Sequence, residues 1–385
     1  LEPVRPLVWI NELPWHELNV ADELTCCCQD PFCRGVENSL RMTLYQWEHL
    51  RADMVVEAVY YAPLAISDSG FGIRQEGELL AQDARGGIHS QAFVPQIGEL
   101  ADVEKIRLPE LHHDEQASER THQRLNELMG DLLTIRPRGV VHTWFAPWDE
   151  LIRWYGVQEA LTDLALRPEL VHAAMDRLVT AHLHRLEQWR ALGLLDQTSG
   201  NYRVGSGGLG YTRELPLSEG ERQVVDTTQQ WGCATAQIFS EVSPAMHEEF
   251  ALAYERRWLT QFGLVYYGCC EPLHHKLGIL ESVPNLRKVS MSPKANLAAG
   301  AERANGRYVL SHKPNPAIFT DQWSPERARD ELVRALEPAR GHPVEVIMKD
   351  VSTVQYQPQR LWEWAEIARE VVTSLDWTSR TAATA

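Results

Sequence analysis

Apolar and polar positions alternate along the chain in two distinct periods from about residue 136 onward. Short β-rich apolar runs alternate with amphipathic stretches of twelve to twenty-five residues. That rhythm calls for crossover connections and a parallel sheet. Gly139 to Thr143 reads as a strand, and Pro168 to Leu192 as a helix with Leu170, Val171, Ala174, Met175 and Leu178 at helical spacing. Cys233 to Phe239 follows as a strand and Pro244 to Phe262 as a helix. Further strands are read at Leu264 to Cys269, Leu286 to Met291, Tyr308 to His312 and Val344 to Lys349. Ser324 followed by Pro325 and Glu326 signals a helix start. The last helix, Leu361 to Val372, places Leu361, Trp364, Ala365, Ala368 and Val371 on one face, as packing on strands requires.

The pattern predicts an α/β fold, a (β/α)8 TIM barrel with an N-terminal extension. Residues 1–45, rich in tryptophan, proline and cysteine, are expected to form a cap, residues 46–377 the barrel, and residues 378–385 a frayed tail. Met54 to Leu64 reads as a strand, and Ala101 to Leu133 as charged and helical. The stretch Asn201 to Gly210 reads as a flexible glycine-rich loop. It lacks the Lys-Ser/Thr of a phosphate-binding loop and the GxGxxG spacing of a dinucleotide fold.

Composition narrows the function. The 385 residues carry 37 basic and 53 acidic side chains, a formal net charge of -16, and no Lys/Arg run. A nucleic-acid groove is therefore not expected. No apolar run reaches the roughly eighteen residues of a membrane span, and the start of the sequence lacks the pattern of a signal peptide. A cytoplasmic protein is expected. The seven cysteines are odd in number and include the consecutive Cys26, Cys27 and Cys28, which suits reduced thiols better than a disulfide framework.

Chemistry is expected where apolar runs give way to polar residues, because in parallel α/β folds the carboxyl ends of strands line the active-site mouth. Five such junctions stand out: His142, Ser240 with Glu241, Cys269 with Cys270 and Glu271, His312 with Lys313, and Lys349 with Asp350. Cys269 with Cys270 and Glu241 forms a candidate metal set, in which thiolates and a carboxylate would hold zinc with an open position. Lys349, Asp350, His312 and Lys313 are the candidate catalytic groups. His142, Trp144, Tyr211 and Tyr267 are the candidate substrate contacts. Buried cysteines also fill core space as small apolar residues, and Lys349-Asp350 also reads as an ordinary ion pair.

Three segments carry a resemblance. Gln237-Ile-Phe-Ser-Glu-Val-Ser-Pro-Ala-Met-His-Glu-Glu-Phe250, Leu264-Val-Tyr-Tyr-Gly-Cys-Cys270 and Leu310-Ser-His-Lys-Pro-Asn-Pro316 resemble elements of the uroporphyrinogen decarboxylase-like superfamily. Its barrels include the decarboxylase and the zinc-dependent methyltransferases that work with corrinoid proteins. The resemblance implies a corrinoid-linked methyltransferase that demethylates a small methoxylated or methylated compound. Zinc and a corrinoid on a partner protein are the implied cofactors, and a homodimer is an expected assembly. In those methyltransferases zinc is held by His-x-Cys and a second Cys near the last strand. Here Tyr267 stands for the His and Lys349-Asp350 lies near the second Cys, so only Cys269 is retained. Zinc would then have to recruit Glu241, Cys270 or His312. The arginine motif with which the decarboxylase grips its substrate is missing from the first eighty residues. Two alternatives stand beside this reading: a lyase or decarboxylase acting on a non-porphyrin carboxylic acid without a metal, and a non-catalytic ligand-binding barrel.

Overall fold

The computed structural model describes residues 4–82, 89–197, 199–216, 225–320 and 323–377, with the side chains of 78–91 left aside. The tail expected at 378–385 lies outside the described residues. Six strands form one parallel sheet: β1 (Leu7–Ile10), β2 (Trp231–Ala234), β3 (Leu264–Tyr267), β4 (Leu286–Met291), β5 (Val309–His312) and β6 (Val344–Met348), in the spatial order β1-β6-β5-β4-β3-β2. Four of the six lie where the apolar runs place them. The strand expected to begin at Cys233 begins at Trp231 and ends at Ala234, and a 3-10 helix, Gln237–Glu241, takes up the remainder.

β1 is the edge of the sheet, so the residues expected to form only a cap contribute a core strand. The helices Pro168–Ala191, Pro325–Leu336 and Gln359–Ser374 appear at the positions read from periodicity. Ser324 caps the second by accepting from the Arg327 amide. The amphipathic stretch after Pro244 is α-helical at both ends, with one π-helical turn at Glu248–Leu252. Val59–Pro63 pairs with Thr134–Arg138 in a separate two-stranded sheet. Within the stretch read as helical from Ala101, only Glu115–Met129 is an α-helix.

The central sheet has two different faces. Val8, Ile10, Val265, Tyr267, Val289, Met291, Leu310, Val346 and Met348 pack into the main core. The opposite, inner face carries Trp231, Cys233, Leu264 and Tyr266 at one side and Lys288, Ser290, Ser311 and Glu345 at the other. Period-two alternation along each strand produces this division.

A closed eight-stranded barrel is not what the described residues show. Beyond β2, the 139–143 segment read as a strand makes only a single parallel bridge, from Val140 to Leu195 in the segment after the Pro168–Ala191 helix. Side chains link them to β2 in place of a ladder: Gln230 Nε2 donates to Val140 O (2.7 Å) and Asp196 O (2.6 Å), and His142 Nδ1 donates to Trp231 O (2.9 Å).

The glycine-rich segment lies against the inner face and is held there, contrary to the expectation of a flexible loop. A Cβ on Gly207 would stand 2.3 Å from the Tyr266 ring, and one on Gly208 2.6 Å from the Glu345 carboxylate. Gly205 has a positive φ of 55° and meets the same tyrosine ring. Glycine is required here by close approach of the backbone. Below this segment Lys288 Nζ pairs with Glu345 Oε2 at 2.9 Å, and the Ser311 hydroxyl and Gly208 amide also donate to Glu345.

Candidate active site at the carboxyl end of the sheet

The turn after β3 is set by Gly268, whose φ of 96° is open to glycine and whose Cβ would strike Leu273 at 2.3 Å. That turn resets the strand alternation, and Cys269 comes to face the inner side although Tyr267 faces the core. Glu271 is fully buried and fixes the turn, accepting hydrogen bonds from the Cys269 amide (2.9 Å), the Ala236 amide (3.2 Å) and the Thr235 hydroxyl (2.9 Å). Its role is structural.

Cys269 is the centre of the site. Its sulfur lies 3.5 Å from that of Cys270. Hydrogen bonding from the Cys270 thiol, together with the Lys313 and Lys349 ammonium charges, outweighs burial and draws the Cys269 thiol down to about 7. Cys270, which is exposed, moves in the opposite direction because its proton is held by its neighbour. Lys313 is buried with all three ammonium protons engaged, by Ser206 Oγ (2.5 Å), Ser290 Oγ (2.8 Å) and Cys269 O (2.9 Å). It ties the glycine-rich segment to the turn after β3. Burial pulls its pKa below the usual lysine value.

Lys349, just past β6, reaches Glu12 Oε2 and Asp350 Oδ2, each at 2.8 Å. Burial would lower its pKa, but the Cys269, Asp350 and Glu12 charges raise it. Glu12 also accepts from Arg203, which donates to Asn11 Oδ1 at 3.0 Å as well. Burial opposes ionisation of Glu12, yet hydrogen bonds from Asp350 and Lys349 hold it down at about 2. Asp350 moves upward, first through burial and then through Glu12. The two carboxyl groups therefore divide into one firmly ionised and one more easily protonated.

Of the expected residues, Cys269, Cys270, Lys313, Lys349 and Asp350 converge here. The others do not. His312 faces the opposite side of the sheet, in a small cavity with Pro293 and Trp364, and burial holds it neutral with a pKa of about 4. Tyr267 also faces the core, where its hydroxyl donates to Glu255 (2.6 Å) and lies 2.7 Å from His247 Nε2. His142 is a structural pin: besides its bond to Trp231 O, its Nε2 accepts the Gly205 amide at 2.9 Å. That arrangement requires the neutral ring, and burial lowers its pKa to about 4. Tyr211 lines a cavity of about 610 Å³ at the amino ends of β1, β5 and β6, the opposite end from Cys269. Trp144, 41% exposed, follows the 139–143 segment and lines none of these cavities. Glu241 is exposed and its charge acts on His275 and Lys276.

The expected zinc set is accordingly not assembled. Among the described residues, no three His, Cys, Asp or Glu side chains are grouped to hold a metal ion. Cys269 and Cys270 stand together without Glu241 or a histidine, so the residues present do not fit a three-ligand zinc site. The same holds for Cys26, Cys27, Cys28 and Cys33, whose segment is instead pinned by the Glu37 carboxylate accepting the Cys27 and Cys28 amides.

Sequence reading missed Glu12, Asn11 and Arg203. The signal for the first two was present: Leu7–Ile10 is an apolar run that gives way to Asn11-Glu12, like the junctions recognised elsewhere. It also missed Asp149, which accepts from the Gln237 amide. Burial raises Asp149 to about 6, with Glu271 adding to the shift.

No helix among the described residues is long and apolar enough to cross a membrane. No protein-family model matches the chain, and no curated protein matches it. Among solved structures the chain is similar to a methyltransferase from Methanosarcina mazei, with a TM-score of 0.52 over 97% of this chain and 94% of that one. At 12% identity the likeness shows a shared fold.

Proposed function

We propose that this protein is a methyltransferase of the corrinoid-linked type, which demethylates a small methoxylated or methylated compound at the carboxyl end of the sheet. The observation that carries the reading is the position of Cys269 in the turn after β3, 3.5 Å from the Cys270 sulfur, where that neighbour's hydrogen bond and the Lys313 and Lys349 charges draw its thiol down to about 7. It stands where the resemblance places the one retained thiolate, in a fold similar to that of a methyltransferase. In this reading the segments at Val140 and Leu195 complete an eight-stranded barrel, joined to β2 by Gln230 and His142.

A corrinoid on a partner protein would supply the nucleophile that accepts the methyl group. The chain's own residues hold and prepare the donor. The heteroatom that loses the methyl group keeps the bonding electron pair, and the Lys349 ammonium stabilises the charge that develops there. The Glu12 and Asp350 carboxyl groups, each 2.8 Å from that ammonium, hold it in place. The Cys269 thiolate, acting through its charge, keeps the Lys349 ammonium protonated. Zinc finds no assembled ligand set among the described residues.

The alternative of a lyase gripping a carboxylic acid with Lys313 and Lys349 has less support. Lys313 spends all its protons within the protein, and His312, which that reading also requires, faces the opposite side of the sheet.

Incubation with cob(I)alamin and a panel of methyl ethers, methylamines and methyl thioethers tests the proposal through the cobalt absorption spectrum. Methylated cobalt is expected with the native chain, at a rate reduced at least about a hundredfold in Cys269→Ala. Absence of methylated cobalt across the panel, or an unaffected Cys269→Ala variant, overturns it.

A further inference from the structure

Next to the catalytic cluster, with Cys270 in its wall, lies a cavity of about 390 Å³. Its builders come from separate segments that follow strand positions at the carboxyl end. The helix Pro147–Tyr155 contributes Asp149, Ile152 and Arg153, which share one face by their three- and four-residue spacing. The 3-10 helix after β2 contributes Gln237 and Ile238, and Phe93 closes the remaining side.

Arg153 is the unusual member. It is exposed on the cavity wall, and among the described residues it has no ion pair or hydrogen bond. Asp149 lies near enough to feel its charge but not within ion-pairing distance, because the Gln237 amide holds that carboxyl. A guanidinium fork left open at a cavity in a chain of net charge -16 is a local anion receptor. The opposing walls, Phe93, Ile152 and Ile238, suit an apolar body. The volume lies toward the lower end of the roughly 300–1,000 Å³ usual for small-molecule sites, which suits a single ring better than a macrocycle. Burial keeps the Asp149 carboxyl protonated up to about pH 6, so near that pH it is a donor toward an oxygen in the cavity and repels an anion little.

We propose that this cavity seats the methyl-bearing substrate, a monocyclic aromatic compound with one carboxylate, and that Arg153 selects it by binding the carboxylate. The inference rests on the proposed methyl-transfer reading for the role of the ligand, while the recognition itself rests on the cavity alone.

Calorimetric titration of the whole chain at about pH 5.5, where Asp149 is protonated, with 4-methoxybenzoate, 4-methoxybenzyl alcohol and 4-methoxybenzylamine tests it. The carboxylate is expected to bind at least about tenfold more tightly than the neutral alcohol, and the amine more weakly than either. Arg153→Ala is expected to abolish the preference while leaving the affinity for the alcohol unchanged, and Arg153→Lys to retain part of it. A thermal midpoint equal to that of the native chain verifies that the exposed substitution leaves the fold intact. Equal binding of the three probes, no binding of any, or an Arg153→Ala variant with undiminished affinity for the carboxylate overturns the proposal. Calorimetry without a methyl acceptor reads binding alone, so Arg153-dependent binding there, together with no methylated cobalt in the cob(I)alamin assay, would count against the catalytic reading alone. Methyl transfer from a neutral donor that does not depend on Arg153 would count against this inference alone.

Discussion

Glu12 and Asp350 occupy matching positions on adjacent parallel strands, and both adopt left-handed backbone conformations, with φ of 54° and 57°. Ile10 pairs with Met348, so the residue two further along each chain falls at the same register. Backbone bonds from Asn11 N to Met348 O (3.0 Å) and Val351 N to Glu12 O (3.2 Å) carry the pairing past the strand ends. A non-glycine residue in this conformation costs about 1–3 kcal/mol and persists where its surroundings hold it. Here the Lys349 ammonium, 2.8 Å from each carboxylate, holds both.

The ionisation of Cys269 should respond to its neighbours in a set order. Cys270→Ala removes the largest downward influence and Lys349→Met a smaller one, so each variant should raise the thiol above its value of about 7. The rise expected for Lys349→Met is on the order of one unit. Site-resolved alkylation by iodoacetamide as a function of pH reads it directly. A titration identical to that of the native chain in both variants would refute the account of the site's electrostatics.

Glu255 should make stability fall with rising pH. It is fully buried, and burial raises its pKa to about 8. A carboxyl with a folded-state pKa above its unfolded value stabilises the fold fully below the unfolded pKa, and that contribution is lost as pH rises toward 8. Glu255→Gln keeps an acceptor for the Tyr267 hydroxyl and removes the titration. The stability of Glu255→Gln relative to the native chain should therefore improve between pH 5 and 7.5, by up to about 1.4 kcal/mol per unit. Urea unfolding at the two pH values decides; a constant difference would show that Glu255 is ionised in the fold.

Gly207→Ala should destabilise the fold by about 1–3 kcal/mol, the range typical of overpacking. The new methyl would stand 2.3 Å from the Tyr266 ring and 2.9 Å from Glu345, both on the buried inner face. Tyr266→Leu in the same chain should recover part of the loss. If thermal unfolding places Gly207→Ala at the native midpoint, the glycine-rich segment is not packed as described.

Glu345→Ala should cost about 3–5 kcal/mol, because it strands the buried Lys288 ammonium without its partner. The Ser311 hydroxyl and the Gly208 amide lose an acceptor as well. The double variant Glu345→Gln with Lys288→Met should recover much of that loss. Denaturant unfolding of the three chains provides the comparison, and a cost under about 1 kcal/mol for Glu345→Ala would contradict it.

Local pattern located most of the elements, because strand alternation and helical periodicity are written in neighbouring residues. β4 spans the six residues read for it, and Ser324 caps the helix that Pro325 begins. The same logic located Cys269, Lys313, Lys349 and Asp350 at strand ends. It failed at β1, a run of four residues among prolines and tryptophans that becomes a strand only by pairing with β6, far along the chain. With β1 went Glu12, whose partner is Lys349.

The side to which each chemical group turns was decided by tertiary structure. His312 and Lys313 are adjacent, yet one faces the core and the other the inner face. The positive φ of Gly268 turns Cys269 inward after Tyr267 has turned outward. The glycine-rich segment, silent as a motif, becomes the packing that buries Lys313 through Ser206 and contacts Tyr266 and Glu345. Periodicity is a property of nearest neighbours and survives in the bare sequence. Convergence of Glu12, Cys269 and Lys349 depends on long-range pairing and burial, which exist only once the chain has closed on itself.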